Sequence, residues 1–534
     1  MLKIGIDFDN TIACYEEIFY KIIQKKGLEL TANRTNKDIL KNYLCITLKN
    51  ENLWKKIQGE VYGKNIHEAK IFPGLLLFLL RSLIKGNSIY IISHKTKYGH
   101  FDINKINLQN AALEWLNNNL LIFLDGLQFS ISKNIYFCTT RTKKIKKISE
   151  LNLDFFIDDL IEIYQDPVFP KKTKSILFNK KNIESKININ YISNSWNDIS
   201  DYIYGPIENA EIIKILKIKF SVLNITQLTP ISKGKNSKVF KIISSDSSIY
   251  LLKTYPDLAW DSRPRLETEK NASKLLLDAG LNVPVIVAFN KSLNWAIYKW
   301  VNGKNVKVNE LFLKESLNFI NAAQSASNIK NLLLNFPKAS EACLSIDDYR
   351  EQIDSRIESY LSLNIVNLNN FLQVELIPTY KKILIEASNV LDNTDLFISK
   401  QYQILSPSDF GSHNAMIDPS GKYYFYDFEY FGWDDPVKFV ADFYWHPAME
   451  LNNNLREKWL SLCLNNFSKD PNFKLRLKLC LPLIGIRWCL IILKEYQKIN
   501  KNELNYANYQ SILLNSLRKS EKLLREVKKQ NTIF

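Results

Sequence analysis

The chain has 534 residues, of which 46% are hydrophobic, and a formal net charge of +16. This length exceeds a single ordinary core, so we expect two or three domains. The longest apolar runs, 72–84 and 479–493, are each interrupted by an arginine, so no membrane span is predicted. Because the lysines are dispersed along the chain, the charge predicts solvated surfaces rather than a nucleic-acid partner.

The cysteines predict a reducing environment. Their number, seven, is odd, and no two of them form a CxxC pair. Scattered thiols are typical of reduced, buried side chains, so we expect neither disulfides nor a zinc site. A cytoplasmic location is the corresponding expectation.

The first 200 residues alternate short apolar runs with helical stretches. The predicted strands are 3–8, 88–93, 135–138, 155–157 and 175–178. Strands separated by helices are typical of a parallel α/β sheet. A polar, helical segment over about 14–71 breaks the alternation after the first strand, and we predict that it is an insertion.

Polar side chains mark the ends of three of these strands. Asp7 and Asp9 lie at the end of the first strand, Ser93 ends the second, and Asp158 and Asp159 follow the fourth. Because ligands of α/β sheets gather at the carboxyl ends of the strands, we expect these side chains to lie together. Each signal alone also fits a helix cap, but their order along the chain favours a functional site.

A pair of lysines opens the helix that precedes the fourth strand. Lys143 and Lys144 follow Thr142, which we predict to be the N-cap of that helix. The spacing does not decide which of the two ammonium groups faces the carboxylates.

This order of Asp-x-Asp, Ser, Lys and Asp-Asp resembles the haloacid dehalogenase (HAD) superfamily over residues 1–200. The resemblance implies a Rossmann-like sheet with the 14–71 insertion as a cap, and a phosphatase that acts on phosphate esters. It implies that Asp7 attacks phosphorus, whereas Asp9 protonates the leaving oxygen and then activates water. Thr11 and Ser93 would bind phosphoryl oxygens, and Lys143 or Lys144 would neutralise charge. Mg²⁺ would be held by Asp7, the Asp9 carbonyl and Asp158, with Asp159 as a further candidate ligand.

The rest of the chain has a different pattern. Residues 201–223 predict a charged, helical connector, and 226–231, 238–243 and 249–253 predict strands joined by hairpin turns. An apolar strand at 295–303 would lead into a hinge. Beyond residue 303 the chain is mainly helical, broken by an acidic stretch at 406–442.

The 224–302 segment carries signals of nucleotide binding. Gly234, Asn236 and Ser237 lie in a polar loop whose backbone amides could approach phosphates, although a plain hairpin turn explains the loop equally well. Lys253 ends the third strand, and Glu269 opens a helix and could pair with it.

The 405–437 segment supplies what phosphoryl transfer needs. Asp409 provides a base that orients the attacking hydroxyl, and Asn414 and Asp427 provide oxygen ligands for a metal ion. His413 is also a candidate base. Because Asp409 already fills that place, we expect His413 to pack in the loop or face solvent.

Residues 224–450 resemble the aminoglycoside phosphotransferase and choline kinase-like branch of the protein-kinase fold. The resemblance implies two lobes, about 224–302 and 303–534, and phosphoryl transfer from ATP or GTP to a small-molecule hydroxyl. It assigns Lys253 to the nucleotide phosphates, Glu269 to positioning that lysine, Asp409 to catalysis, and Asn414 and Asp427 to Mg²⁺. Asp435 would brace the loop. The chain departs from the family at Pro407-Ser408, where His-Gly is usual.

Together the two resemblances predict a bifunctional enzyme, a Mg²⁺-dependent phosphatase fused to a kinase for a sugar- or polyol-like hydroxyl. A place in surface polysaccharide metabolism is a looser analogy. One alternative is a kinase-phosphatase for nucleic-acid ends, although the chain lacks a GxxxxGK[ST] motif. The other is a scaffold that binds nucleotide without turnover.

Overall fold

The computed structural model describes residues 1–27, 37–99, 105–124, 131–178, 189–220, 224–232, 237–259, 261–329, 336–391, 398–498 and 506–530. Gly234 and Asn236 of the predicted nucleotide loop lie outside these residues. The chain forms two compact units. The first comprises Met1–Pro264 and Ala288–Ile297, and the second comprises Arg265–Val287 and Tyr298–Phe534.

The first unit contains two large sheets and ten α-helices among its described residues, and the last two strands named below each extend two residues beyond its bounds. Its strands are β1 Lys3–Ile6, β2 Ala13–Cys14, β3 Lys70–Ile71, β4 Ser88–His94, β5 Ile135–Cys138, β6 Phe155–Asp158, β7 Lys174–Phe178, β8 Tyr191–Ser193, β9 Ile225–Ser232, β10 Lys238–Ser244, β11 Ile249–Thr254, β12 Ile286–Asn290 and β13 Trp295–Lys299, of which β2 and β3 form a separate small ribbon. Its helices are α1 Glu16–Lys25, α2 Lys37–Asn42, α3 Glu51–Tyr62, α4 Leu75–Ile84, α5 Leu108–Leu116, α6 Ile122–Leu124, α7 Arg141–Glu150, α8 Ile161–Tyr164, α9 Trp196–Tyr204 and α10 Asn209–Lys219.

A six-stranded parallel sheet organises the first 200 residues. Its strand order is β5-β4-β1-β6-β7-β8, and β1 pairs with β4 on one side and β6 on the other. The predicted parallel sheet is therefore confirmed. Sequence analysis missed only its edge strand β8, which has three residues and no apolar run.

The segment after β1 leaves the sheet and returns to it at one place. Strand β2 pairs antiparallel with β3, with Ala13 opposite Ile71 and Cys14 opposite Lys70. Helices α1, α2 and α3 lie between these two strands. This helical segment occupies the span predicted as an insertion, and its role as a cap remains a prediction.

The described part of the predicted connector, 201–223, contains the end of α9 and all of α10, with 205–208 between them outside any helix, and it lies within the first unit. Helix α10 buries Ile212, Ile215 and Leu216 in the same hydrophobic cluster as residues of β9, β10 and β11. Arg81 on α4 holds α10 and the turn before it in place. Its guanidinium donates to Glu211 at 3.1 Å and to the Gly205 carbonyl at 2.8 Å. The predicted boundary is thus a packed part of the first unit.

A five-stranded sheet follows α10, in the order β12-β13-β11-β10-β9. Strand β10 pairs antiparallel with both β9 and β11. The three strands predicted from hairpin patterns are confirmed, and β13 covers the first part of the predicted 295–303 strand. Sequence analysis missed β12.

The second unit is mainly helical, as the sequence predicts. Its helices are α11 Arg265–Asp278, α12 Glu310–Ile329, α13 Ile346–Leu361, α14 Val366–Asn370, α15 Ile377–Leu391, α16 Pro436–Trp445, α17 Asn453–Asn466, α18 Phe473–Ile492 and α19 Tyr506–Gln530. Its short strands are β14 Lys304–Asn305, β15 Ile404–Ser406, β16 Ala415–Ile417, β17 Tyr423–Phe425 and β18 Gly432–Asp434. Aromatic side chains around Phe425 and Trp459 fill its core. Across the described part of the chain, every helix is too short or too polar to cross a membrane.

Two candidate active sites

The first site lies at the carboxyl edge of the parallel sheet. Asp7 follows β1, and its backbone N–H donates to the Ile157 carbonyl of β6 at 2.9 Å. This pairing places Asp7 beside Asp158, the last residue of β6. Carboxylate oxygens of Asp7, Asp158 and Asp159 lie within 4.8 Å of one another. The polar side chains at the ends of β1 and β6 therefore lie together, as predicted.

Lys144, rather than Lys143, faces this cluster. Its Nζ lies 2.5 Å from Asp7 Oδ1 and 2.6 Å from Asp158 Oδ2, and its side chain is buried. Lys143 is exposed and donates to Thr139 Oγ1 at 3.3 Å. The prediction of Thr142 as the N-cap is wrong, because α7 begins earlier and Thr140 accepts from the Lys143 N–H. Helix phase then places Lys144 on the buried face with Ile145 and Ile148.

The electrostatics of this cluster suit an additional cation. Burial, with the nearby charges of Asp158 and Asp9, raises the pKa of Asp7 to about 7, although Lys144 acts in the opposite direction. Burial also raises the pKa of Asp159 well above its usual range. Two of the three carboxylates, those of Asp7 and Asp158, contact the Lys144 ammonium, and oxygen donors of this kind are the ligands that Mg²⁺ prefers. The donor set therefore fits the implied metal ion.

A cavity of about 450 Å³ opens onto the cluster. Asp7, Asp9, Ser93, Lys144 and Asp159 all line it. Thr11 does not line it; Thr11 is buried, and its carbonyl accepts from Trp196 Nε1 at 3.2 Å. Further lining comes from basic and aromatic side chains of the helical insertion and of α7, including Lys37, Trp54, Tyr62 and Arg141.

Sequence analysis missed Lys95, which contacts Asp9 directly. Its Nζ lies 2.8 Å from Asp9 Oδ1 and 2.7 Å from Asp9 Oδ2, and Tyr15 Oη donates to Oδ1 at 2.7 Å. The available signal was its position two residues after Ser93, at the same carboxyl edge of the sheet.

The second site forms around the loop after β15 in the second unit. Asn414 Nδ2 donates to the Asp409 carbonyl at 3.0 Å, and the Tyr426 N–H donates to the Asn414 carbonyl at 3.0 Å. Asp427 follows directly, with a backbone φ of 70°. Left-handed backbone at a non-glycine residue is unfavourable and persists where the surrounding structure imposes it. These contacts join the loop that carries Asp409 to the segment that carries Asp427.

His413 packs within the loop against Asp409, and its absence of a role as the base stays a prediction. Its Nε2 lies 2.8 Å from Asp409 Oδ1. The His413 ring stacks on His446, with centroids 4.1 Å apart and planes at 4°. Burial opposes ionisation of Asp409, but the His413 hydrogen bond and the charges of both histidines hold its pKa below the usual value. His446, at the end of α16, has no sequence signal that links it to Asp409.

The two residues before Asp409 show how the departure from His-Gly is accommodated. Ser408 has a φ of 67°, a conformation that glycine adopts without strain. Its hydroxyl donates to the Ser340 carbonyl at 2.9 Å and accepts from Lys438 Nζ at 3.3 Å. Lys438 also lies 3.2 Å from Asp434 and 2.9 Å from Asp442. A buried charge network thus supports the loop.

Asp435 has the structural contacts expected of a brace. It caps α16 by accepting from the Val437 N–H at 2.8 Å, and it pairs with Arg476 at 2.9 Å. Both contacts are buried, so Asp435 is fully engaged in holding α16.

The predicted nucleotide-binding residues belong to both units. Ser237 and Lys253 are buried in the first unit. In the second unit, carboxylate oxygens of Glu269, Asp427 and Glu429 lie within 4.8 Å of one another, and Arg265 pairs with Glu429. Asp427 was predicted as a metal ligand, whereas Glu429 was not. Pairing of Lys253 with Glu269 remains a prediction.

The chain is similar to several solved structures of small-molecule kinases. No protein-family model matches the chain, and no curated protein matches it. Among solved structures, it is similar to the amicoumacin kinase hAmiN in complex with AMP-PNP, Ca²⁺ and Ami, at 15% identity and TM-score 0.41, covering 60% of this chain and 96% of that one. Spectinomycin phosphotransferase APH(9)-Ia, in complex with ADP and spectinomycin, gives 13% identity, TM-score 0.43, and coverage of 61% and 100%. Choline kinase LicA from Streptococcus pneumoniae gives 16% identity, TM-score 0.37, and coverage of 59% and 99%.

Proposed function

We propose that the chain is a phosphate-transfer enzyme whose principal activity is a small-molecule kinase. The observation that carries the proposal is the hydrogen-bonded link from Asp409 through Asn414 to Tyr426, which connects Asp409, the proposed base, with Asn414 and with the segment of Asp427, the proposed metal ligands. Phosphoryl transfer is catalysed mainly by positioning and by charge neutralisation, and this set of groups supplies both.

The residues have distinct roles in this proposal. Asp409 orients the acceptor hydroxyl and accepts its proton, while His413 holds the Asp409 carboxylate in place. Asn414 and Asp427 would hold Mg²⁺, which when bound neutralises charge on the nucleotide phosphates. The donor is ATP or GTP, and the acceptor is a hydroxyl of a small molecule of the sugar or polyol type.

A matched pair of variants tests the kinase. Asp427→Ala should weaken binding of a non-hydrolysable ATP analogue with Mg²⁺ and also reduce turnover, because a metal ligand is lost. Asp409→Asn should leave that binding nearly unchanged and reduce turnover alone. Asp347→Asn, on an exposed surface pair, is the control. Calorimetric titration separates these outcomes, and undiminished binding and turnover in both site variants would refute the proposal.

A second activity, phosphate-ester hydrolysis, is favoured by the contacts of Lys144 with both Asp7 and Asp158. In this step an Asp7 carboxylate oxygen bonds to phosphorus while the bond from phosphorus to the leaving oxygen breaks. Water then attacks the phosphorus of the aspartyl-phosphate, which releases inorganic phosphate and regenerates Asp7. Lys144 neutralises the phosphoryl charge in both steps. Asp7, Asp158 and Asp159 would hold Mg²⁺, which lowers the repulsion between nucleophile and phosphate.

Asp7→Asn tests the phosphatase. Loss of the nucleophile should reduce hydrolysis of an aryl phosphate by on the order of 10⁴-fold or more. The exposed Glu150→Gln should hydrolyse it like the unmodified protein. Phosphate release that is equal in all three proteins would exclude Asp7 as the nucleophile.

A further inference from the structure

A cavity of about 810 Å³ lies in the second unit, away from the loop that carries Asp409. Residues of α12, α17, β15 and β18 line it, and the described lining does not include Asp409, Asn414 or Asp427. Small-molecule sites occupy about 300–1,000 Å³, and this volume lies within that range. Neither proposed activity makes use of this cavity.

Aromatic side chains form part of the cavity wall, and each is held in place from behind. Phe336 packs edge-on against Phe431, with ring centroids 5.3 Å apart. Phe467 packs against Phe473 at 5.0 Å. The backbone of Trp433 pairs with β15 on one side and with the Lys338 segment on the other. Half-buried rings that are already ordered offer an apolar surface to a ligand at a small entropic cost.

Amide side chains add hydrogen-bonding groups to the same wall. Asn321 and Asn466 form a reciprocal pair, in which each Nδ2 donates to the Oδ1 of the other, at 2.7 and 3.1 Å. An amide carries two N–H groups and an oxygen with two lone pairs, so each keeps one donor and one acceptor position beyond this pair. Gln401 and Gln403 also line the cavity. Neighbouring donors and acceptors of this kind match the adjacent hydroxyls of a sugar ring.

The charged groups of the wall favour an anion. Asp470 is the one acidic residue of the described lining, and it is buried, with its two carboxylate oxygens bonded to Arg476 at 2.7 and 3.3 Å. Lys400 and Lys469 line the cavity as well and are exposed. Neither forms an ion pair with any residue that the structure describes. Two ammonium groups without a protein counter-ion can bind the oxygens of a phosphate.

We propose that this cavity is a binding site for a phosphorylated sugar. The aromatic rings pack on the C–H groups of the sugar ring, and the Asn321–Asn466 pair bonds its hydroxyls. Lys400 and Lys469 bind the phosphate. The site does not depend on either proposed activity, because its lining shares no residue with the two candidate active sites.

Fluorine NMR of the full-length protein labelled with fluorotryptophan tests the site. The Trp433 signal is identified as the one lost in Trp433→Phe, and Mg²⁺ is omitted so that neither proposed activity consumes the probe. The probes are glucose-6-phosphate, ribose-5-phosphate and N-acetylglucosamine-6-phosphate, compared with glucose, inorganic phosphate and AMP. At least one sugar phosphate should shift the Trp433 signal with a Kd below about 1 mM. It should bind about 10-fold or more tightly than glucose or inorganic phosphate, because each of those offers only half of the contacts.

Variants at exposed positions separate the two kinds of contact. The double variant Lys400→Gln, Lys469→Gln should weaken binding of the sugar phosphate about 10-fold or more, because the phosphate loses its cations. Asn466→Leu should weaken it by a similar factor and leave the affinity for inorganic phosphate unchanged. Lys474→Gln, an exposed lysine of α18 outside the cavity, is the matched control and should bind like the unmodified protein.

Several results would overturn the inference. A Trp433 signal that none of the sugar phosphates shifts at about 10 mM would show that the cavity is not such a site, and this measurement needs no lysine or asparagine variant. Inorganic phosphate that binds as tightly as the sugar phosphates would leave only an anion site, and tighter binding of AMP would assign the cavity to a nucleotide. Unchanged affinity in the double lysine variant would place the phosphate elsewhere.

Discussion

His413 Nε2 lies 2.8 Å from Asp409 Oδ1, and the same imidazole stacks on His446 at a centroid distance of 4.1 Å. The carboxylate that would orient the acceptor hydroxyl is thus held from one side by a ring that is itself packed. A base with a fixed orientation needs no reorganisation when substrate binds. His413 is therefore a positioning residue for Asp409.

His413→Phe separates stacking from hydrogen bonding, because phenylalanine keeps the ring and loses the nitrogen. A hydrogen bond to a charged group contributes about 1.5–3 kcal/mol, so kcat of the kinase should fall about 10–100-fold. Nucleotide affinity, measured by calorimetry, should not change. Unaltered kcat would show that Asp409 is positioned by other contacts; His67→Phe, exposed in the first unit, is the control.

The pH dependence of stability tests the environment of His446. Burial and the neighbouring His413 lower the pKa of His446 from its ordinary 6.5 to about 4. Between these values the unfolded chain binds a proton that the folded protein does not, so the free energy of unfolding falls as pH drops from about 6.5 to about 4. Above pH 6.5 His446 is neutral in both states, so its contribution to the free energy of unfolding is fully present there. His446→Gln should reduce this slope by up to about 1.4 kcal/mol per pH unit in urea denaturation. Identical slopes in the two proteins would contradict the assignment.

Ser408 combines an unfavourable backbone conformation with two useful hydrogen bonds. Ser408→Ala loses the contacts with Ser340 and Lys438 and keeps the left-handed backbone, whereas Ser408→Gly loses the contacts and relieves the backbone. The alanine variant should therefore be less stable than the glycine variant by about 1–2 kcal/mol, measured from denaturant unfolding.

Ser247 is the matched control for this comparison. It has a similar φ of 65° in an exposed turn, with no comparable partner from a buried lysine. Because both serines have a left-handed backbone, Ser247→Gly should also be more stable than Ser247→Ala by about 1–2 kcal/mol. If Ser408→Ala equals Ser408→Gly in stability, backbone strain at residue 408 is not significant.

The neighbouring lysines of α7, Lys143 and Lys144, should differ clearly in their effects on phosphate hydrolysis and on stability. Lys144→Met removes the ammonium between Asp7 and Asp158, so aryl phosphate hydrolysis should fall by about 10²-fold or more. It should also destabilise the metal-free protein, because two buried carboxylates lose their partner. Lys143→Met should change neither quantity. Phosphate release and circular dichroism measure them, and a larger loss in the Lys143 variant would reverse the assignment.

Local pattern was sufficient to predict the parallel sheet and the polar cluster at its edge. Apolar runs of strand length, separated by helices, specify a sheet that is covered on both faces. Because parallel strands point the same way, residues at their ends lie at the same edge of the sheet, and Asp7 and Asp158 meet there because β1 and β6 are neighbours. The hairpin strands near residue 240 were predictable for a similar local reason, the alternation of apolar runs and polar turns.

Tertiary structure decided the contacts that distinguish similar residues. Helix α7 has its N-cap at Thr140, and its helical phase places Lys144, rather than Lys143, on the buried face. Lys95 lies 86 positions from Asp9 and reaches it only because β1 and β4 are adjacent. His446 meets His413 only because α16 returns to the loop after β15, and α10 joins the first unit only because its apolar face finds a core there. Sequence determines periodicity and the order of chemical groups, whereas the partner of each buried charge depends on which elements fold against one another.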